Sequence, residues 1–255
     1  MPVPTALQLW SVREDCASDF LGTIRQVAEM GYAGVEFAGF HGHEASAVAE
    51  LLGSCGLQIA GAHTGWAALQ PDNLEATLAF HAELGCRRLI VPGIPQEMRS
   101  TTDACLETAD QFAALTDALR AEGFSCGYHC HEADMVPVEG GQRPWDLIAQ
   151  HTPQDFVLQY DTSNGMHGGA DPVQPLLDYP GRGTTVHLKE YSGRGGSAVV
   201  GEGQIPWADV LAACEGQAGT EWLIVEHEVY GDRTPLECAR LCMTNLAALQ
   251  AAQRS

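Results

Sequence analysis

Short apolar, β-rich runs alternate with longer amphipathic stretches along the whole chain, the pattern of βα units that build a parallel sheet. Eight such runs can be read: ALQLW ending at Trp10, GVEFA at 34–38, QIAGAHT at 58–64, RRLIVPG at 87–93, SCGYHCH at 125–131, FVLQYD at 156–161, TTVHLKE at 184–190 and EWLIVEHE at 221–228. Helical stretches such as 19–31 and 101–123 lie between them, each closing on a glycine, where helices commonly end in a left-handed residue. Thr101, Thr102 and Asp103 offer N-cap oxygens for the fourth helix, and Gly123 stops it. The fifth helix is short, 144–150, and follows the Gly-rich VEGGQRP. No linker interrupts the series, only longer loops at 133–143 and 191–204. Eight units in 255 residues predict one domain over 1–255, a (β/α)8 TIM barrel, for which roughly 250 residues is typical.

Polar and ionisable residues recur at the carboxyl ends of these runs, where barrel enzymes place their chemistry. An open doubly wound sheet would gather its ligand at one switch point instead. Asp161, His187 and Glu226 end three consecutive strands, so convergence on the barrel axis brings an aspartate, an imidazole and a glutamate together. That oxygen and nitrogen mix suits Mn²⁺, Mg²⁺, Co²⁺ or Zn²⁺. The alternative for each residue alone is a loop hydrogen bond at a strand end. In YHCH, strand alternation puts Cys126, Tyr128 and Cys130 on one face and His129 and His131 on the other, which argues against a mixed Cys/His zinc site. One of the two histidines then serves as a ligand and the other supports the site or touches substrate.

Lys189 shares a face with His187 and can hold a substrate oxygen or phosphate, or form a salt bridge to a barrel carboxylate. His63 and Trp10 offer rings to the apolar face of a sugar; packed aromatics at a barrel mouth are the competing reading. Arg182 precedes its strand and belongs to the opposite, bottom face.

Charge narrows the partners. With 33 acidic and 13 basic residues the formal charge is −20, and no basic cluster exists to displace the counterions of a nucleic acid. The nine cysteines lack the paired short spacings of a disulfide framework, which suggests reduced thiols in a cytoplasm. The amino terminus shows no signal-peptide pattern, and no apolar run approaches the ~18 residues of a membrane span.

Seven ordered segments, LQLWSVR, GYAGVEF, GYHCHEADM, LQYDTSNGMHGGADP, GRGTTVHLKEYSGRG, VGEGQIPW and WLIVEHE, resemble the xylose isomerase-like TIM barrels, often called sugar phosphate isomerases/epimerases. The resemblance implies a divalent metal, commonly manganese, on the fifth to eighth strands. It also implies acidic residues that shuttle a proton through an enediolate, and a second copy of the chain as partner. Asp161, His187 and Glu226 match three ligands. At the fourth position, where epimerases usually carry glutamate, this chain has His129, as in a YHNH-type subgroup, with Cys130 replacing the asparagine.

An imidazole at that position leaves the metal one negative charge short and removes a candidate base from one face of the substrate. Glu226, or failing that Glu36, is then the single base. Glu36 ranks ahead of Glu132 and Asp134 because it ends a strand and reads inward; Lys189 and His131 complete the catalytic candidates. The expected activity is isomerisation or epimerisation of a small sugar or keto-inositol. A dehydratase or lyase using the same site is the alternative. A non-catalytic sugar-binding barrel and an endonuclease rank lower.

Overall fold

The computed structural model describes residues 2–254. Its eight parallel strands are β1 (Thr5–Gln8), β2 (Gly34–Phe37), β3 (Gln58–His63), β4 (Arg88–Val91), β5 (Ser125–His129), β6 (Val157–Gln159), β7 (Thr185–Leu188) and β8 (Trp222–Val225). Each pairs with its sequence neighbour from β1 to β6, β7 pairs with β8, and β1 pairs with β8. The ring closes between β6 and β7 through a bridge joining Asp161 and His187, where His187 N donates to Tyr160 O at 2.8 Å. This is the closed barrel that the alternation of elements predicts.

Around it run α1 (Arg13–Glu29), α2 (Ala45–Cys55), α3 (Pro71–Leu84), α4 (Thr102–Ala121), α5 (Glu132–Met135), α6 (Pro144–His151), α7 (Thr162–His167), α8 (Gln174–Asp178), α9 (Trp207–Glu215) and α10 (Pro235–Gln253). The Thr101 hydroxyl caps α4 by accepting from Ala104 N at 3.1 Å, as its sequence predicts. The first helix differs from the reading at 19–31. It starts at Arg13 and breaks at Asp19, whose non-helical backbone lets its carboxylate accept from Gly22 N at 2.9 Å. Asp19 therefore caps the second half of a kinked helix, and the sequence signal at 19 was that internal cap.

Strand alternation divides the core in two. Outward residues such as Leu7, Val35, Leu89, Tyr128 and Val225 join Ile24, Val48, Phe112, Leu211 and Leu246 of the helices in one large apolar cluster. Inside the barrel a small cluster of Ala6, Ala60, Trp222 and Ile224 fills the amino-terminal end. Gly34 is forced by this packing, since a Cβ there would lie 2.9 Å from the Trp222 ring. Above this plug the interior turns polar: Gln8, Glu36, Gln159, Thr185 and His187 are all fully buried. A register shift between Val35 and Glu36 marks a bulge in the β2–β3 pairing at this level, the kind of irregularity that re-aims a side chain beside a site.

The loop after β7 is tied down by one carboxylate. Glu190 accepts from the backbone N–H groups of Tyr191, Gly201 and Ile205 and from Trp207 Nε1, at 2.7–3.1 Å. A Cβ at Gly203 would sit 2.5 Å from Glu190 Oε1, so the VGEGQIPW run is shaped by this anchor. At the opposite end, Arg182 is buried and donates to Phe156 O, Ala149 O and Thr152 Oγ1, which places it on the bottom face as expected.

Candidate metal and active site

His129 is the last residue of β5, Asp161 lies two residues past β6, His187 sits within β7 and Glu226 follows β8. Barrel closure brings them together: one ligand atom from each lies within 4.8 Å of all the others, and all four residues are buried. His187 Nδ1 is 3.0 Å, and His129 Nε2 3.9 Å, from Glu226 Oε2.

Asp161 supplies the test of whether these residues fit a cation. Its Oδ1 caps α7, accepting from Asn164 N at 2.6 Å, which fixes the carboxylate. Its Oδ2 is buried and has no hydrogen-bond partner among the described residues. Burial, with the neighbouring Glu226, raises the Asp161 carboxyl to about 7 against the pull of Lys189. An unpartnered buried carboxylate oxygen is costly, and a divalent ion among two carboxylates and two imidazoles satisfies it. The residues fit the group.

His187 is held from both sides. Its Nε2 is 2.6 Å from Glu36 Oε2, the carboxylate–imidazole support typical of metal-ligating histidines. Burial opposes a charge on this ring, but Glu36 and Glu226 together raise it to about 10, so the metal-free protein keeps an imidazolium between two carboxylates. Glu36 also accepts from Gln8 Nε2 and Gln159 Nε2, both at 2.7 Å. Burial alone would push Glu36 up; the His63 and His187 rings outweigh it and hold the group below the usual carboxylate range.

Above this layer opens a cavity of about 530 Å³. Its walls include His129, His131, Glu226, Lys189, His63 and Trp10, six residues named from the sequence. Trp10 is 42% exposed and donates from Nε1 to Glu228 Oε1 at 3.0 Å. Lys189 pairs with Glu228 and lies 3.8 Å from Glu226 Oε2. The salt-bridge reading of Lys189 holds, and the residue also reaches the cavity. The Nδ1 of His131 is buried without a partner among the described residues. Its backbone N donates to Asp134 Oδ2 at 2.7 Å, and Asp134 Oδ1 accepts from Tyr128 OH at 2.8 Å and Arg99 Nη1 at 2.9 Å.

Residues 24–246 match the family described as xylose isomerase-like TIM barrel. The chain belongs to that family. Among curated relatives it is similar to inosose dehydratase of Geobacillus kaustophilus (strain HTA426), 24% identical over 244 residues that cover 80% of this chain and 79% of the relative. It is likewise 24% identical to the rhizopine catabolism protein MocC of Rhizobium meliloti, over 90% of this chain and 81% of that one. Among solved structures, a sugar phosphate isomerase/epimerase from Parabacteroides distasonis superposes with a TM-score of 0.82 at 24% identity, covering 95% and 97% of the two chains. The family fixes the barrel and hosts several chemistries, so the activity has to be argued from the site.

Glu36 is not among the residues lining the cavity. It lies beneath the floor with both oxygens engaged: alternation with the outward Val35 and Phe37 turns it into the barrel, and Gly61, set opposite it by the register shift, leaves room for its Oε1. Sequence reasoning passed over Gln159 and Asn164, and took Glu228 only as one of the polar residues at strand ends. Gln159 precedes Asp161 by two and so shares its face, a signal that alternation offered. Asn164, which lines the cavity, gave none: its backbone N–H meets Asp161 Oδ1 and its Nδ2 donates to Cys130 O at 3.0 Å, contacts that only the fold creates. No cysteine belongs to a candidate metal cluster among the described residues, and Cys126 and Cys130 are buried with free thiols. No helix among those residues is long and apolar enough to cross a membrane.

Proposed function

We propose that this chain is a divalent-metal enzyme that removes a proton beside the carbonyl of a small neutral sugar or keto-polyol. The observation that carries the reading is the meeting of His129, Asp161, His187 and Glu226 beneath a cavity, with one Asp161 oxygen unpartnered. A divalent ion held there, manganese by family resemblance, would supply the positive charge that offsets the negative charge building on substrate oxygens.

The chain's own residues do the rest. Glu226 lines the cavity, and although burial opposes its charge, Lys189 and His187 keep it ionised, so it is the base that takes the proton. Glu36 is assigned to holding His187 and not to proton transfer, because His187, Gln8 and Gln159 occupy its oxygens. His131, lowered by burial to a neutral ring, is the second proton-carrying group at the wall. Lys189 orients a substrate hydroxyl or carbonyl, and the Trp10 ring borders an apolar face of the substrate. Lys189 is the sole lysine or arginine among the lining residues and is already paired with Glu228, which argues for a substrate without phosphate.

Returning the proton to the neighbouring carbon gives isomerisation. Expelling a hydroxyl one carbon further on gives dehydration, and the likeness to inosose dehydratase favours that second outcome. His129 and His131 at the wall, with Cys130 outside the lining, support a place in the YHNH-type subgroup. The free cysteines accord with a reducing cytoplasm, and a second copy of the chain as partner rests on the family resemblance. The test is incubation of metal-loaded protein with unphosphorylated ketoses and keto-inositols in D₂O. Deuterium beside the carbonyl, or an unsaturated product formed with loss of water, is expected. Absence of both across the panel, with metal bound, would sink the reading.

A further inference from the structure

Four polar groups meet on one amide beneath the cavity floor. Gln159 is fully buried; its Nε2 donates to Glu36 Oε1 at 2.7 Å and to Thr185 Oγ1 at 2.9 Å. Its Oε1 lies 3.0 Å from His129 Nδ1 and 2.8 Å from His63 Nε2. The orientation of the amide is determined. A carboxylate only accepts, so the NH₂ end faces Glu36 and the carbonyl end faces the two rings. A carbonyl oxygen also only accepts, so both facing ring nitrogens carry hydrogen. In a neutral imidazole the other nitrogen is then bare. For His129 that bare atom is Nε2, on the Glu226 side; for His63 it is Nδ1, while Nε2 is spent on Gln159.

The choice matters because the floor offers two overlapping sets of ligand atoms. Besides the set with Asp161 and Glu226, ligand atoms of His63, His129 and His187 also lie within 4.8 Å of one another. The His63 ring is parallel to His187, at 6° between planes and 5.3 Å between centroids. Three imidazoles suit softer ions such as Zn²⁺, whereas two carboxylates and two imidazoles also accommodate Mn²⁺ and Mg²⁺.

We propose that Gln159 is a positioning residue that selects the four-residue site over the three-imidazole one. By accepting from His129 Nδ1 and His63 Nε2, it makes one ring a ligand and withholds the other. Glu36 reinforces the choice, since its Oε2 stands 3.2 Å from the same His63 Nε2. The inference rests on reading His129, Asp161, His187 and Glu226 as the metal site, yet its first consequence is visible without metal.

Long-range ¹H–¹⁵N NMR of the metal-free wild-type protein should show His129 with hydrogen on Nδ1 and His63 with hydrogen on Nε2; the opposite tautomer on either ring overturns the proposal. Gln159→Leu removes the acceptor and should give mixed tautomers on His129, and on His63 a weaker preference for hydrogen on Nε2, held by Glu36 alone. Its Mn²⁺ affinity, measured calorimetrically, should fall about 10–100-fold. The same variant should gain Zn²⁺ binding that disappears when His63→Phe is added. Unchanged tautomers, with Mn²⁺ affinity within twofold of wild type, would refute the role. Should Gln159→Leu fail to fold, Gln159→Glu keeps an acceptor toward both rings and must retain the wild-type tautomers. A wild-type protein with the expected tautomers but no affinity for any divalent ion would instead strike at the metal reading itself.

Discussion

The two ends of this barrel use the same side-chain chemistry to opposite purposes. At the amino-terminal end, guanidinium groups are spent on closing the structure: Arg120 pairs with Asp155, Arg88 with Glu221, and Arg182 ties Ala149, Thr152 and Phe156 together. At the carboxyl end, imidazoles and carboxylates are crowded together, and Asp161 Oδ2, His131 Nδ1 and His227 Nε2 are buried without partners among the described residues. Burial has a different consequence at each end. It lowers the Arg182 guanidinium to about 10, where it stays charged and structural, and raises the Asp161 carboxyl to about 7, where a nearby cation would favour the charged form. Arg88 Nε and Thr184 Oγ1 at the amino-terminal end also lack partners among the described residues, so what sets the carboxyl end apart is a carboxylate oxygen left unpartnered among other ionisable groups.

The largest effect that sharpens this contrast is expected from Asp161→Asn. The amide oxygen can keep the cap on α7, so thermal stability of the metal-free protein should hold. Metal content should vanish, and turnover should fall by about a thousandfold or more, given the several kcal/mol that a bound ion contributes to such reactions. Full metal occupancy by elemental analysis would break the assignment.

Arg182→Met probes the other end. Three acceptors lose a charged donor, at a cost of about 3–5 kcal/mol, seen as a fall in Tm of roughly 10 °C. Mn²⁺ affinity should not change. A weakened affinity would show that the two ends are coupled.

The smallest effect concerns His81 of α3, whose Nδ1 is also buried and unpartnered but whose ring packs on Phe40 and Phe80. Burial lowers this imidazole from 6.5 to about 4. Unfolded chains therefore take up a proton below pH 6.5 that the folded protein refuses until about 4, so stability is full above that window and declines as pH falls through it. Compared with His81→Phe, the wild type should lose up to about 3 kcal/mol across the window, read from urea titrations at each pH. Equal pH dependence in the two proteins would mean that His81 is not held neutral. A missing partner in an apolar setting is thus a packing cost, which separates it from the mouth.

All eight strands and the convergence of Asp161, His187 and Glu226 were legible because period-2 alternation and strand ends are local signals. Trp10, His131, Asp161, Lys189 and Glu226 lie just past the last paired residue of their strands, so strand runs read from the sequence were longer than the ladders. The role of Glu36 was not legible. Whether a strand-end carboxylate opens to the cavity or stays beneath it depends here on its partners Gln8, Gln159 and His187 and on the absence of a side chain at Gly61. Gln159 was hidden for another reason: its meaning comes from His63, Glu36 and His129, residues 96, 123 and 30 positions away. The kink at Asp19 looked like a helix start because the same side-chain cap serves both.

The seam between β6 and β7 gives the site a second character. Asp161 and His187, which stand on opposite sides of that seam, are both the bridge that closes the barrel and half of the proposed ligand set. An ion held by the proposed set would act as the clasp of a bracelet, gripping the hoop where its two ends meet, with His129 and Glu226 tying it to the flanking strands. Opening the hoop and releasing the ion would then become one event. The amide of His187, bonded to Tyr160 O across the join, is where a chelator should first let solvent hydrogen in.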